Sequence, residues 1–584
     1  MLYPLSYGGS GRDPRVAARH WRLTCPDTLD RVTPAELSDA VVQAVAAAVE
    51  AGDLSVPVPA DVTIERPKRR EHGDYATNVA MRLAKPAGRP PREVAELIAK
   101  RLAEQLGIAR VDVAGPGFLN IVLDAAAQGV LARQIVDAGE SFGRSDDLAG
   151  LKINVEFISA NPTGPIHLGH TRWAAVGDAI ARVLEARGAD VTREFYINDR
   201  GSQLDRFGAS LMAAAHGEPA PEDGYHGDYV ADLAGRIVAT HPEILDLPRE
   251  QQLVAFREEG YAVQLAEQQQ QLDMFRTHFD VWASERALHD SGAVERALAK
   301  LREQGHIFEQ DGAVWLRTTD FGDDKDRVLI RSNGQESYLA ADAAYYVDKR
   351  DRGYEICTFL LGADHHGYIA RLRALAACAG DDPEHNIEVL IGQLVKIMQG
   401  DAELKLSKRA GTIVTLQEIV DLTGVDALRY TLCRYPADSP LTIDVDAITR
   451  QVNENPVFYV QYVAARTASV ARNAAELGID RGAADAFRPE LLENARESDL
   501  LGALAEFPRV VAASAELREP HRVARYLENL AGVYHRFYDS CRILPRGDEE
   551  VSDLTRARLW LNDATRVVIA NGLHLLGVTA PERM

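Results

Sequence analysis

The segment 152–197 restricts the possible folds of this chain more than any other feature of the sequence. At its start, Ile153, Val155 and Phe157 alternate with polar residues, which predicts a half-buried strand that ends near Phe157. A loop rich in turn-forming residues follows at 159–165. Side chains that follow a strand in this way lie at the carboxyl edge of the sheet to which the strand belongs.

A helix and a second strand complete this segment. Gly188 ends the helical pattern, and residues 191–197 read as the second strand. Strand, helix and strand in this order form a βαβ unit, which predicts a parallel sheet. The apolar face of the helix consists of Trp173, Val176, Ile180, Val183 and Leu184.

The length of 584 residues exceeds what one hydrophobic core supports, so several domains are expected. Strand-like stretches return at 313–317, 355–361 and 388–391, and the sequence beyond residue 415 is helical almost to its end. The predicted divisions are a flexible extension at 1–30, a small α/β or α+β domain at 31–125, a linker at 126–150, an α/β domain with a parallel sheet at 151–424, a helical insertion in it at about 204–300, and a helical domain at 425–584.

Charge and cysteine content limit the partners and the compartment. The net charge of −22 argues against nonspecific binding to nucleic acid, so an RNA partner needs a local basic surface. Lys68, Arg69 and Arg70 are candidates, although such a run is also typical of a solvated loop. The five cysteines form no CxxC pair, and no apolar stretch approaches the ~18 residues of a membrane span, so we predict reduced thiols and a cytoplasmic protein.

The loop after the first strand ends in the motif His167, Leu168, Gly169 and His170 at the predicted start of the helix. Helix N–H groups and two imidazoles can bind phosphate oxygens there, and Gly169 leaves room for a flat base. We therefore predict nucleotide binding. Zinc binding and a purely incidental pair of histidines are the alternatives, but the sequence supplies no third nearby zinc ligand.

A second motif, residues 405–409 (KLSKR), lies far downstream. Lys405 and Lys408 could neutralise a triphosphate as pyrophosphate leaves, with Ser407 between them. Such a run taken alone is usually a solvated surface. Its combination with the histidine motif favours a functional role.

The two motifs together resemble the HIGH and KMSKS signatures of class I aminoacyl-tRNA synthetases. Leu168, Leu406 and Arg409 depart from those signatures, whereas the histidines and lysines are kept. The arginyl branch is the more specific resemblance. It extends from about residue 33 to 584 and is carried by VEFISANPTGPIHLGH (155–170), FGDDKDRVLIRS (321–332), GADHHGY (362–368), EIVDLTGVDALRY (418–430) and GVTAPERM (577–584).

This resemblance implies a Rossmann-like catalytic domain, an N-terminal domain that binds the tRNA elbow, and a C-terminal domain that binds the anticodon. It also implies arginine, ATP with Mg²⁺ and tRNA(Arg) as partners of a monomer, without structural zinc. His167, His170, Lys405 and Lys408 would be the catalytic residues. The ATP site would include Pro165, Gly169, Asp364, His365, His366 and Ser407, although adjacent histidines in the GADHH segment cannot all contact ATP.

The resemblance also suggests which residues hold the amino acid. Glu285, and Tyr338 with Asp342, match positions that hold a guanidinium, while Asn161 matches one that holds the α-amino group. Glu156 is a weaker candidate for the same pocket. Carboxylates suit a planar fork of donors, but Glu285 and Asp342 could equally be a solvated helix charge and an ordinary cap.

Contacts with tRNA are predicted in both outer domains. In the segment GPGFLN, Phe118 would stack on a base and Asn120 would hydrogen-bond it, as in other proteins that read unpaired bases; Phe118 could instead belong to the core. The C-terminal stripe of Tyr459, Tyr462 and Arg466 is open to both interpretations. The carboxyl end is expected to anchor Met584, the last candidate for a tRNA contact.

Three other functions are compatible with parts of this sequence. A class I ligase for another amino acid would keep both motifs, and a cysteine-specific ligase would need zinc ligands that the scattered cysteines do not supply. A nucleotidyltransferase would leave the helical C-terminal domain without a role. A noncatalytic RNA-binding relative is disfavoured by the intact histidines and lysines of the motifs.

Overall fold

A computed structural model of the protein describes residues 33–67, 72–403 and 414–584. The predicted extension at 1–30 lies outside the described residues. The same holds for the basic run at 68–70 and for Lys405, Ser407 and Lys408 of the second motif. The other predicted site residues lie within the described ranges.

The N-terminal domain packs helices against a small antiparallel sheet with the strand order β1-β3-β2. Its first helix begins where Thr33 and Glu36 form a capping box, and Leu37, Val41 and Val45 are buried along one face. This domain has the predicted mixed character. Its elements are α1 (Pro34–Glu50), β1 (Tyr75–Thr77), α2 (Val79–Ala87), α3 (Pro91–Leu102), β2 (Ile108–Ala114) and β3 (Phe118–Leu123).

The segment 126–150, predicted as a linker, begins with a helix. This helix, α4 (Ala125–Ala138), buries Leu131, Ala132 and Ile135. It packs against helices of the C-terminal domain described below. The connection between the outer and central domains is thus built into the core of the molecule.

The central domain contains the predicted parallel sheet, in the order β11-β10-β4-β5-β6. Helix α5 (Leu168–Glu185) connects β4 to β5 in the predicted βαβ unit. The strands are β4 (Lys152–Glu156), β5 (Asp190–Ile197), β6 (Val281–Ser284), β10 (Ile356–Gly362) and β11 (Ile387–Gly392).

Strand β4 lies in the middle of this sheet, and the prediction that it is half-buried is wrong. Its polar residues Asn154 and Glu156 are 0% and 8% exposed. Alternation with polar residues normally marks a solvent-facing side, but here those side chains bond to other buried polar groups. Asn154, for example, donates to Glu194 of β5 over 2.7 Å.

The predicted insertion is helical over its first part and has a core of its own around Phe207, Leu211, Leu233 and Phe256. Strand β6 then returns the chain to the sheet at Val281, within the range 204–300 that was predicted to be helical. This strand of four residues is too short to produce a clear alternating pattern. The insertion helices are α6 (Ser202–Ala215), α7 (Asp228–Thr240) and α8 (Arg249–Met274).

A second, antiparallel sheet with the order β7-β8-β9 lies between β6 and β10 in the chain. The predicted stretch 313–317 belongs to this sheet and not to the parallel one. Elements of this part are α9 (Glu285–Asp290), α10 (Ala293–Glu303), β7 (Ile307–Gln310), β8 (Ala313–Leu316), β9 (Arg327–Ile330), α11 (Tyr338–Asp351) and α12 (Tyr368–Cys378).

The C-terminal part is a helical bundle, as predicted, preceded by a strand that the sequence did not reveal. Strand β14 (Leu441–Asp444) pairs with β12 (Val395–Gln399), which also pairs with β13 (Ala402–Glu403). The helices are α13 (Leu416–Thr423), α14 (Val425–Cys433), α15 (Val445–Thr449), α16 (Pro456–Glu476), α17 (Ala495–Ala505), α18 (Phe507–Leu517), α19 (His521–Ser540) and α20 (Asp553–Leu575).

The described cysteines, Cys357, Cys378, Cys433 and Cys541, are buried thiols, in agreement with the prediction of core positions. Burial raises the pKa of Cys357 to about 11, so this thiol stays protonated at neutral pH. Among the helices of the described ranges, none is both long enough and apolar enough to cross a membrane.

Candidate active site

The carboxyl ends of β4, β5 and β10 meet at one edge of the parallel sheet, and the histidine motif and the GADHH segment follow β4 and β10 there. Helix α5 begins there. His167 caps it, and its Nδ1 accepts a hydrogen bond from the backbone N–H of Gly169 over 3.1 Å. The first turn of α5 therefore points toward the edge, where an anion would meet the positive end of the helix dipole.

The two histidines of the motif are brought together by the first turn of α5. Their ring centroids are 4.0 Å apart, and the ring planes are inclined by 30°. A Cβ atom on Gly169 would lie 3.0 Å from Cε1 of His167, so a larger residue would push this ring aside. Leu168 is buried, which explains why an apolar side chain other than isoleucine serves at this position.

The loop before α5 is bonded to residues just after the second motif. Leu168 N–H donates to the Val414 carbonyl over 3.3 Å, and Leu416 N–H donates to the Ile166 carbonyl over 2.8 Å. His167 and Thr415 form an antiparallel bridge between these hydrogen bonds. Residues 414–416, which follow the second motif, thus lie directly against the first motif, although the two motifs are far apart in the sequence.

The GADHH segment follows β10, the strand next to β4. Asp364, His365 and His366 are exposed, with His365 Nε2 lying 3.5 Å from an Asp364 carboxylate oxygen. Pro165 of the neighbouring loop is partly exposed. These residues share the edge with the histidine motif and are open to a ligand.

Glu156, Glu285 and Asp342 come together from β4, α9 and α11 around Tyr196 of β5. Burial raises the pKa of Tyr196, and the charges of Glu285, Asp342 and Glu156 raise it further, so the carboxylates face the same phenol. The ring of Tyr196 lies 4.6 Å from that of Tyr345 between centroids. We call these five residues the anionic pocket. It presents carboxylates beside flat aromatic rings.

Asp342 is the member of the anionic pocket with the most perturbed carboxyl group. Burial raises its pKa to about 7, and the negative charges of Glu156 and Glu285 act in the same direction. A hydrogen bond of 3.4 Å from Tyr368 and the charge of Arg371 oppose this rise. The pocket therefore carries excess negative potential that a bound cation would relieve.

Glu285 is held at the start of α9 by a hydrogen-bond network around Asp199. Asp199 accepts from the Ser284 hydroxyl over 2.6 Å and from the Arg286 backbone N–H over 2.9 Å. It also accepts from the Tyr261 hydroxyl of the insertion over 3.2 Å. Burial raises the pKa of Glu285 as well, so this part of the pocket has the same electrostatic character.

Two residues predicted for the amino-acid site lie outside the anionic pocket. Tyr338 is 80% exposed at the start of α11. Asn161 is exposed, and its amide donates to the Gln203 side chain over 2.9 Å. Buried Gln268 of α8 donates to the Asn161 carbonyl over 3.0 Å, so the insertion holds this loop.

Several residues at the site were missed from the sequence. Tyr196 lies at the carboxyl end of a predicted strand, a position from which it could have been proposed. Tyr345 is three residues beyond Asp342 and shares its helix face. Lys349 gave no signal, because lysine is usually solvated, yet it is 0% exposed next to Glu156.

Models of known protein families match part or most of each domain of the chain. A model for the arginyl tRNA synthetase N terminal domain matches residues 35–123, and one for the catalytic domain of class I (R) tRNA synthetases matches 143–233 and 255–432. A model for the DALR anticodon binding domain matches 460–584. The chain belongs to the arginyl-tRNA synthetase family. The resemblance inferred from the two motifs is thereby confirmed.

Individual relatives agree with this assignment. An arginine–tRNA ligase of Kineococcus radiotolerans is 60% identical over 556 residues, covering 95% of this chain and 100% of the relative. One of Frankia alni is 59% identical over 553 residues with the same coverage. The solved arginyl-tRNA synthetase of Thermus thermophilus, at 24% identity, has the same fold, with a TM-score of 0.73 over 95% of this chain and 100% of that chain.

The residues predicted to contact the tRNA elbow differ in exposure. Phe118 at the start of β3 is 41% exposed, which suits a side chain that stacks on a base. Asn120 is 7% exposed and lies between Ala76 and Asp112 of the neighbouring strands. A ligand could reach Phe118 directly but would have little access to Asn120.

Tyr459, Tyr462 and Arg466 share one face of α16 and lie against α19. The Arg466 guanidinium donates to the Tyr462 hydroxyl over 2.8 Å and stacks 4.5 Å from the ring centroids of Tyr462 and Tyr538. All three predicted residues are partly exposed. Their contacts contribute to the packing of α16 against α19. The exposed parts of the same side chains form an aromatic and cationic surface.

The carboxyl end of the chain is held close to the bundle. Arg472 donates to the Glu582 carbonyl over 2.9 Å, and the Thr579 N–H donates to Asp426 over 3.2 Å. Met584 itself is 55% exposed. The backbone near the terminus is thus anchored, while the last side chain remains accessible.

Within the ranges that the structure describes, no group of three or more His, Cys, Asp and Glu side chains is arranged to hold a metal ion. The carboxylates of the anionic pocket instead surround tyrosines. This donor set suits an organic cation with several N–H groups better than a small metal ion.

Proposed function

We propose that this protein joins arginine to tRNA(Arg) at the expense of ATP. The arginine carboxylate attacks the α-phosphorus of ATP, forming arginyl-adenylate and releasing diphosphate. A terminal ribose hydroxyl of the tRNA then attacks the arginyl carbonyl carbon, loses its proton and releases AMP. The observation that supports this proposal best is the anionic pocket, because it lies at the same sheet edge as the paired histidines.

The anionic pocket has the chemistry expected of a guanidinium site. A guanidinium is planar and presents five N–H donors, so it binds best to carboxylates next to flat rings. Glu285 and Asp342 supply the carboxylates, and Tyr196 and Tyr345 supply the rings. In this proposal Glu156 completes the pocket from β4, exposed Tyr338 meets the guanidinium from the start of α11, and exposed Asn161 binds the α-amino group.

The first turn of α5 has the chemistry expected of an ATP site. His167 and His170 would bind phosphate oxygens, with the backbone N–H groups of α5 adding positive potential. Lys405 and Lys408 would neutralise the leaving diphosphate. Magnesium would enter as part of the ATP substrate, bound by its phosphates, and would stabilise their charge.

The outer domains would bind the tRNA, with Phe118 at one end and the surface around Arg466 at the other. We also propose that the protein acts as a monomer in the cytoplasm. The tRNA contacts rest on the family and on the exposure of Phe118 and of the α16 face, whereas the oligomeric state and the compartment rest on the family alone.

The test is aminoacylation by the purified full-length protein with ATP and Mg²⁺, using total tRNA and each of the twenty amino acids in turn. Attachment of arginine alone is the expected result. Attachment of a different amino acid would retain the class I mechanism and refute the role of the anionic pocket. ATP binding without attachment of any amino acid would point to a noncatalytic relative.

A further inference from the structure

Lys349 is a buried lysine next to Glu156 of the anionic pocket. Its side chain is 0% exposed, and its ammonium lies 3.2 Å from a Glu156 oxygen and 3.4 Å from a Glu194 oxygen. It also donates to the Asn154 side chain over 2.5 Å. A buried ammonium is costly to desolvate, and these three acceptors offset that cost. The contacts therefore hold the Lys349 side chain in place.

Glu194 is the second carboxylate partner of Lys349, and it also faces the hydroxyl of Tyr345. Arg352 binds Glu194 with two hydrogen bonds, of 2.7 and 2.9 Å. Burial by itself would raise the pKa of Glu194, but Lys349 and Arg352 lower it to about 2, so it stays ionised. Glu194 and Glu156 are direct neighbours on paired strands. Without a cation between them they would repel each other.

The helix that carries Lys349 also carries part of the anionic pocket. Asp342, Tyr345 and Lys349 follow each other on one face of α11, at positions i, i+3 and i+7. The Lys349 ammonium lies 4.2 Å from the centroid of the Tyr345 ring. Any movement of Lys349 would therefore move a wall of the pocket as well as Glu156.

We propose that Lys349 is a positioning residue of the arginine site, which holds the Glu156 carboxylate in place so that the pocket can bind the guanidinium. This inference rests on the proposed function of the anionic pocket. A purely electrostatic role and a positioning role predict opposite changes in arginine affinity. Removal of a cation next to a cation-binding site should strengthen binding if only charge mattered, whereas removal of a positioning residue should weaken it.

The test compares Lys349→Met with the double variant Lys349→Met/Glu194→Gln and the matched single variant Glu194→Gln. Lys349→Met leaves Glu156 and Glu194 facing each other, so it could be poorly folded. The additional Glu194→Gln change removes one of the two charges and should restore the thermal midpoint. Glu194→Gln alone keeps Lys349 next to Glu156 and keeps an acceptor oxygen facing Tyr345, so it should leave the KM for arginine within about twofold of the parent.

The double variant is expected to raise the KM for arginine about tenfold or more while kcat changes less than about threefold, since the ion pair that positions Glu156 is lost. A normal thermal midpoint together with a normal or lowered arginine KM would refute the inference and leave Lys349 a purely structural residue. Failure of the parent protein to charge arginine would instead refute the proposed function itself.

Discussion

At the scale of single residues, Asp342 has the property most directly connected to substrate binding. Burial, together with the charges of Glu156 and Glu285, raises the pKa of its carboxyl group to about 7. A guanidinium binds the ionised carboxylate, so binding must compete with protonation. Arginine affinity should therefore depend on pH in the neutral range.

We expect the KM for arginine to rise as the pH falls below about 7, by up to about tenfold per pH unit. The arginine side chain stays charged throughout this range, so protonation of the guanidinium does not contribute to this dependence. Asp342→Asn should raise the KM by at least about tenfold at pH 8 and flatten its pH dependence. Asp351→Asn, an exposed aspartate of the same helix, serves as the control. A pH dependence unchanged in Asp342→Asn would assign the titration to Glu285, whose pKa burial also raises.

Lys408 is expected to act on turnover and not on arginine binding. If it neutralises the leaving diphosphate, Lys408→Ala should lower kcat about a hundredfold and leave the KM for arginine unchanged. Steady-state aminoacylation at saturating ATP measures both constants. The control is Lys100→Ala, at an exposed position of α3. Unchanged turnover in Lys408→Ala would remove this lysine from the catalytic set.

At the scale of elements, helix α5 determines where the paired histidines stand relative to the sheet. A Cβ atom on Gly177 of α5 would lie 2.6 Å from the ring of buried Phe157, just after β4. The helix can approach the sheet this closely because position 177 has no side chain. The position of the first turn of α5 therefore depends on a glycine about two and a half turns from the start of the helix.

Gly177→Ala should reduce the free energy of unfolding by about 1–3 kcal/mol through overpacking and should lower kcat, since α5 must shift. The matched control is Gly235→Ala in helix α7, where a Cβ atom meets open space. That change should stabilise the protein by up to about 1 kcal/mol. Urea unfolding and aminoacylation measure the two effects. Equal stability of both variants would show that α5 adapts without strain.

At the scale of the whole molecule, Arg429 connects the central domain to the C-terminal bundle. It is 0% exposed and pairs with Asp178 of α5. Its guanidinium also donates to the carbonyls of Phe275, after the insertion, and Leu576, after α20, over 2.8 and 3.2 Å. One side chain thus joins three segments that are far apart in the sequence.

Arg429→Met should destabilise the junction by about 3 kcal/mol, because it leaves carbonyl groups and part of the Asp178 charge without this donor. Arg182 and Arg193 still face Asp178, which limits the loss. Urea unfolding of the full chain is the measurement. Arg488→Met removes the exposed pair with Glu490 and should have no measurable effect. A similarly small effect of Arg429→Met would mean that packing alone holds the junction.

Local sequence patterns determined the class of the fold and the position of the histidine motif at the edge of the sheet. The alternation before Phe157, the turn residues after it and the periodic helix from Leu168 sufficed for the βαβ unit, since these signals depend on neighbours in the chain. The motif His167–His170 and the family resemblance then indicated the function. Glu285 and Asp342 were proposed through that resemblance, not through any local pattern.

Tertiary structure decided the features that depend on contacts between distant segments. The polar residues of β4 are buried because Lys349 and Glu194 meet them inside the sheet, an arrangement that alternation alone cannot distinguish from solvent exposure. Strands β6 and β14 exist because longer strands pair with them. The shifted pKa of Asp342 likewise requires α9, α11 and β4 to converge, and no single segment contains that information.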